Sequence, residues 1–244
     1  MARIDDLLKA ALIQAGDKPA DTAKADEKKA YSEKISANIA LAVADELRER
    51  GMHEARPAPP GELGGSGAER RMAGGIGAKK VDVTWSTEES GLILGISIKS
   101  INFKDSRTRN YQKNLTNRRG DMLIEAVTLH RRFPYAVLGA LFIFDAGAAT
   151  DNTAKRRSTF QNAHTRFRLF TGRDDPAGRD EQYEAFYFML LDASSQHAKY
   201  TLFRVGKHDE EIEFHDMICE LVEQVAIRNP DFYEYDDGEL RRVT

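Results

Sequence analysis

The chain has 244 residues, 41% of them hydrophobic and 31% charged, with a formal net charge of −3. That length suits one generous domain, or one domain with a small appendage, and the apolar share is enough for a core. The figures exclude a disulfide framework, because Cys219 is the one cysteine, a membrane span, because no run approaches 18 apolar residues, and a uniformly basic polyanion binder.

Residues 3–15, RIDDLLKAALIQA, read as a short amphipathic helix, stopped by Gly16 and by Lys18 ahead of a proline. This N-terminus mixes acids with its apolar residues, unlike a secretory signal, and with the single cysteine it fits a reducing cytoplasm. A polar linker follows, so 1–27 form a helix-and-linker unit ahead of the main domain, 28–244. Residues 28–50 read as a strong helix, because Ile35, Ile39, Val43 and Leu47 recur every four residues and Gly51 stops it. Residues 53–80 hold three prolines and seven glycines with almost no apolar period. They read as a long Gly/Pro-rich loop, and Arg70, Arg71, Lys79 and Lys80 in it suit phosphate contact.

Strands come next. KVDVTW alternates Val81, Val83 and Trp85 against Asp82 and Thr84, and LILGISIKS is long and mostly apolar, as a central strand is. Residues 108–133 read as helix in two pieces, with Gly120 near the junction. YAVLGALFIFD, 135–145, reads as a buried strand, 153–170 as a basic helix, 183–193 and 198–206 as a hairpin pair, and 210–228 as a closing helix. The order predicts an α/β fold with a mixed central β-sheet flanked by helices.

Charge is spread unevenly. Lys99 to Arg119 hold seven Lys/Arg against one Asp, and Lys155 to Arg173 hold six and no acid. Asp209 to Glu239 hold twelve acids against Arg228 alone. Such asymmetry is a cue to a polyanion on one face, the alternative being solvated helix faces. No histidine shows metal spacing with another His or Cys. His130 reads as a favourable charge at a helix C-terminus, and His164 as a surface group within reach of phosphate. Cys219 reads as a buried structural thiol.

Ser97 and Lys99 lie two apart at the end of an apolar strand, hence on one face. Lysine is almost never buried unpaired. Asp82, on the preceding strand, is the first partner. The stretch KVDV…GISIKS, with a long helix and an apolar strand behind it, resembles the PD-(D/E)xK nuclease superfamily, the restriction-endonuclease-like fold. Asp82 matches the first acid and Lys99 the lysine, while Val81 replaces the proline and Ser97 the second acid. In a Ser-x-Lys variant of that motif the second carboxylate comes from the following helix, which offers Asp121 and Glu125. Glu125 is the better choice, because it sits among Leu123, Ile124, Ala126 and Val127. Glu46 or Glu54 could add an acid from the first long helix.

The resemblance implies a Mg²⁺-dependent (or Mn²⁺-dependent) DNA endonuclease in a restriction or phage-defence setting, RNA remaining open as substrate. Asp82, Lys99 and Glu125 would be catalytic, with Asp82, Glu125, Asp121 and Glu46 as metal ligands. Nucleic acid would lie on Arg70, Arg71, Lys79, Lys80, Arg118, Arg119, Arg156, Arg157, Arg166 and Arg168. A homodimer would let the protein cut both strands, and the acidic 209–239 region could dock a basic protein partner. The alternative is a catalytically inactive nucleic-acid-binding or assembly module of the same fold.

Overall fold

The structure, a computed structural model, describes residues 2–59, 70–73 and 77–243, with backbone alone for 70–73 and 78. Helix α1, Arg3–Ala15, buries Ile4, Leu8 and Leu12 at four-residue spacing and ends at Gly16. Helix α2, Ala25–Glu49, buries Ile35, Ile39, Val43 and Leu47, and Asp26 and Glu27 in its first turn complement the helix dipole. The two helices lie antiparallel. Arg3 reaches Asp45 and Glu46 at one end of the pair, and Asn38 donates to the Ala11 carbonyl at 2.9 Å. The α1 side chains share one core with α2 and the sheet.

Within the segment read as a loop the structure has two short antiparallel strands, β1, Arg70–Ala73, and β2, Ala78–Val81. Four residues each, half of them basic, leave no apolar period to read. Strand β3, Val83–Thr87, follows β2 after the single residue Asp82. The central sheet adds β4, Gly91–Ile101, β5, Val137–Asp145, β6, Ala185–Ala193, β7, Ala198–Arg204, and β8, Glu211–Ile212, in the order β3-β4-β5-β6-β7-β8. Strands β4, β5 and β6 are parallel to one another, and the remaining pairs are antiparallel. The expected mixed central sheet is therefore present.

β5 is apolar on both faces because both are covered. Leu141 and Ile143 join the core formed with α1, α2 and helix α5, Phe214–Arg228. Leu138, Ala140, Phe142 and Phe144 join the core under helix α3, Leu115–His130, and helix α4, Thr159–Phe167. Register pairs Ser97 with Ala140 and Lys99 with Phe142, so the two polar residues face the α3 layer.

Several elements differ from the sequence reading. α3 runs unbroken through Gly120 instead of in two pieces. α4 starts six residues after 153, because Ser158 caps it by accepting from the Gln161 amide, and Asp151 gathers the preceding turn through Thr159 and the Tyr111 amide. Arg156 and Arg157 consequently lie in a loop and not on the helix. His130 does end α3, but it is buried, against Glu184 at 3.2 Å. His164 is buried too, packed on Phe160 and Phe188, and burial pushes it down to about 4. Strands β9, Tyr233–Asp236, and β10, Glu239–Arg242, form a hairpin turned by Asp237 and Gly238, both at positive φ. The Asp-Gly pair is a hairpin signal that the sequence reading passed over.

The linker after α1 is strapped across the carboxyl ends of the central strands. Asp17 takes the Ser195 amide and hydroxyl, Lys18 reaches Asp145 at 2.5 Å, and Asp21 accepts the Lys104 amide at 3.1 Å.

Candidate active site

β3 pairs with β4 only as far as Ile96, because the chain turns away at Asp82 and β2 joins β1 instead. The Ile98 amide would then lack a partner. The Asp82 carboxylate supplies one: Oδ2 accepts from Ile98 N at 2.6 Å. The same oxygen lies 3.4 Å from Lys99 Nζ, and Nζ lies 3.6 Å from Glu125 Oε2 on α3. Side-chain exposure is 10% for Asp82, 17% for Lys99 and 7% for Glu125, so this is a recessed cluster.

Burial pushes the Glu125 carboxyl up to about 7, against the pull of Lys99 and with help from Asp82. Burial alone would lower the Lys99 ammonium, but Glu125 and Asp82 outweigh it and hold the group above the ordinary lysine value. Lys99 thus stays a cation. Glu125 Oε1 is buried with no hydrogen-bond partner. Ser97 is buried beside the phenol of Tyr183, which donates to the Met122 carbonyl at 2.9 Å and feels the charges of Glu125 and Asp82. Tyr183 is fully buried, and burial holds its phenol well above the usual range.

Asp82 and Lys99 form part of the floor of a cleft of about 830 Å³ at the carboxyl end of β4. One wall is a face of α2 carrying Lys28, Lys29, Ser32, Glu33 and Ser36; the other is the chain from Ser100 to Asn114 with Arg118. Among the described residues six cations line it, Lys28, Lys29, Lys99, Lys104, Lys113 and Arg118, against Glu33, Asp82 and Asp105. In a chain of net charge −3 this cleft is net positive.

The remaining candidates scatter. Asp121 is exposed on α3 and pairs with Arg118 at 3.8 Å. Glu46 is buried between Arg3 and Arg50, whose guanidinium also reaches Cys219 and Gly238. It does not line the cleft; the α2 acid that does is Glu33. Glu54 is exposed. Lys79 is half-buried and acts electrostatically on Glu125, and Lys80 is exposed. The Arg70 and Arg71 side chains lie outside the described residues; their backbones pair with Val81 and Lys80. Arg119 stacks over the Phe170 ring. Arg156 is tied to Asp151, while Arg157, Arg166 and Arg168 are exposed, and none of the four lines the cleft. Arg173, counted in the second basic run, is buried on Glu184 at 3.2 Å. α5, from the acidic segment, packs on the sheet face opposite α3 and α4.

Sequence reasoning missed the α2 wall and Tyr183. The wall was legible: positions 25, 28, 29, 32, 33, 36, 37 and 40 make one helical stripe beside the Ile35/Ile39 stripe. Tyr183 had no such signal, since only the parallel pairing of β5 with β6 brings that segment beside α3. Among the described residues, no three His, Cys, Asp or Glu side chains gather as a metal-binding group, and no helix is long and apolar enough to cross a membrane. No family model, curated protein or solved structure matches the chain.

Proposed function

We propose that this chain is a restriction-endonuclease-like enzyme that hydrolyses phosphodiester bonds of DNA with the help of Mg²⁺ or Mn²⁺. The observation that supports it is the convergence of Asp82, from the bend between β2 and β3, Lys99, from β4, and Glu125, from α3, with Asp82 and Lys99 on the floor of a net-positive cleft. The residues fit a hard cation in kind. Two carboxylates approach the Lys99 ammonium from either side, Glu125 Oε1 lacks a partner, and Mg²⁺ needs only one or two carboxylates beside phosphate and water. Asp82 and Glu125 would hold it, and the bound cation supplies charge for the phosphoryl oxygens and a more acidic water.

The protein's own groups do the rest. Lys99, held as a cation, stabilises charge growing on the phosphate and orients the attacking water. Asp82 is fixed by the Ile98 amide, so its carboxylate arrives without reorganisation. Ser97, buried beside Tyr183, is not a metal ligand in this reading, and Glu125 stands in for the missing acid. Incubation of supercoiled plasmid with Mg²⁺ or Mn²⁺ should give nicked product that EDTA and Lys99→Ala each abolish. Nicking by Lys99→Ala at the wild-type rate rejects the assignment.

One observation favours a second reading, an inactive nucleic-acid-binding module: Lys99 already closes on both carboxylates as an ion-pair cluster. Binding of DNA without nicking in either metal selects it.

A further inference from the structure

The two basic surfaces of this protein differ in shape. Arg157, Arg166 and Arg168 stand on an open face around α4. The cleft cations stand on two facing walls, with Lys28 and Lys29 on α2 and Lys104 and Lys113 on the chain opposite. The walls are joined at depth, since Asn102 donates to Ser32 Oγ across them at 3.1 Å. The volume of about 830 Å³ lies in the range of small-ligand sites, about 300–1,000 Å³. A few nucleotides fit in such a space. A duplex keeps its backbones on a wide rigid cylinder and cannot bring one to the recessed Lys99 without unpairing.

The lining suits an unpaired strand in chemistry as well. Phe103 lines the cleft half-buried, braced by the edge of Tyr31 at 5.9 Å. The ammonium groups of Lys18 and Lys28 lie 5.3 and 5.8 Å from its ring centroid. An aromatic face beside cations is how sequence-tolerant single-strand binders hold a base and its phosphate together. Among the described residues no strand pairs with β4 past Ile98 on its β3 side, so its edge faces the cleft through Ser100. Those backbone groups can meet the Watson–Crick edge of a base only if the base is not already paired.

We propose that the cleft receives one unpaired polynucleotide strand, with phosphates along Lys29 and Lys104 and a base against Phe103. What happens to that strand at Lys99 rests on the hydrolase reading; the strand preference rests on cleft shape and charge.

Fluorescence anisotropy in EDTA tests it, using labelled 12-nucleotide single strands of DNA and of RNA and a blunt 12-base-pair duplex. Single strands should bind at least about tenfold tighter than duplex, and the DNA and RNA arms report which sugar is accepted. Lys29→Ala/Lys104→Ala should weaken single-strand binding and shallow its salt slope by about 1.4, at about 0.7 per phosphate contact. Phe103→Ala should weaken it about tenfold with the slope unchanged. Arg166→Ala/Arg168→Ala should leave single-strand affinity as it is. Equal affinity for duplex, no binding of any strand, or an unchanged Lys29→Ala/Lys104→Ala variant overturns the proposal. Mg²⁺ then separates it from the hydrolase reading. Strands bound in the cleft but never cut reject the hydrolase and leave the proposal standing. Blunt duplex cut as fast as single strand rejects the proposal and leaves the hydrolase standing.

Discussion

Glu125 is a buried acid, with one oxygen near a lysine and the other unpartnered. Its folded value, about 7, lies above its ordinary 4.5, so the native state holds a proton that the unfolded chain has released between those pH values. Stability from this group is therefore full below pH 4.5 and is lost as pH rises through about 7. Glu125→Gln removes the ionisation. In metal-free buffer the Tm of Glu125→Gln should exceed that of wild type at pH 8, and the gap should close at pH 4.5. A gap independent of pH shows that Glu125 does not titrate in this window. The burial of Glu125 was expected from its apolar sequence neighbours, but Ala126 is buried with it while Leu123 and Ile124 are exposed. The surroundings of Ser97 were not legible, since its neighbour Tyr183 is 86 residues away in the chain.

At the level of elements, two glycines give opposite results for one substitution. Gly120 sits inside α3 with open space where a Cβ would go. Gly120→Ala should stabilise the protein by about 0.5–1 kcal/mol, the backbone entropy that glycine loses in a helix. Gly51 ends α2 at φ 94°, and a Cβ there would stand 2.1 Å from the Leu240 carbonyl oxygen. Gly51→Ala should cost more than about 2 kcal/mol, because β10 must shift and the backbone is strained as well. Urea denaturation of both variants checks the signs. Gly51 as a helix stop was readable from its place after a periodic run. Its second task, admitting β10 against α2, is a contact between segments 189 residues apart. The boundaries of α4 moved for a related reason: a Ser158 cap and an Asp151 turn compete locally with helix, and the basic composition does not show which wins.

Taken whole, the molecule joins α1 and its linker to the same core and the same sheet end as the candidate site. Ile4, Leu8 and Leu12 are each fully buried, at about 1.5–3 kcal/mol apiece. Removing residues 1–24 should therefore cost about 5 kcal/mol or more, a large share of a typical domain's stability. Cooperative urea unfolding of the shortened chain, with a midpoint equal to that of the full chain, contradicts this. Charge also sorts by layer: α5, rich in acids, lies across the sheet from α3 and α4. The cleft at the sheet end draws its cations from α2 as well as from the first basic run. The second basic run does not line it, so composition located the positive cleft only in part.

The amino-acid sequence alone determined the helices with strong apolar periods, the continuous apolar strand β5, the mixed α/β class, and the pairing of Asp82 with Lys99. These follow from periodicity and from the cost of leaving a lysine unpaired near a core, both local properties. Tertiary structure decided the rest. It put Glu125 beside Lys99 and left Asp121 in solvent. It gave Glu46 to Arg3 and Arg50, and it made Glu33 the acid on the cleft wall. Each of those outcomes depends on which face of a helix meets which strand, and that is set by packing between segments far apart in the chain.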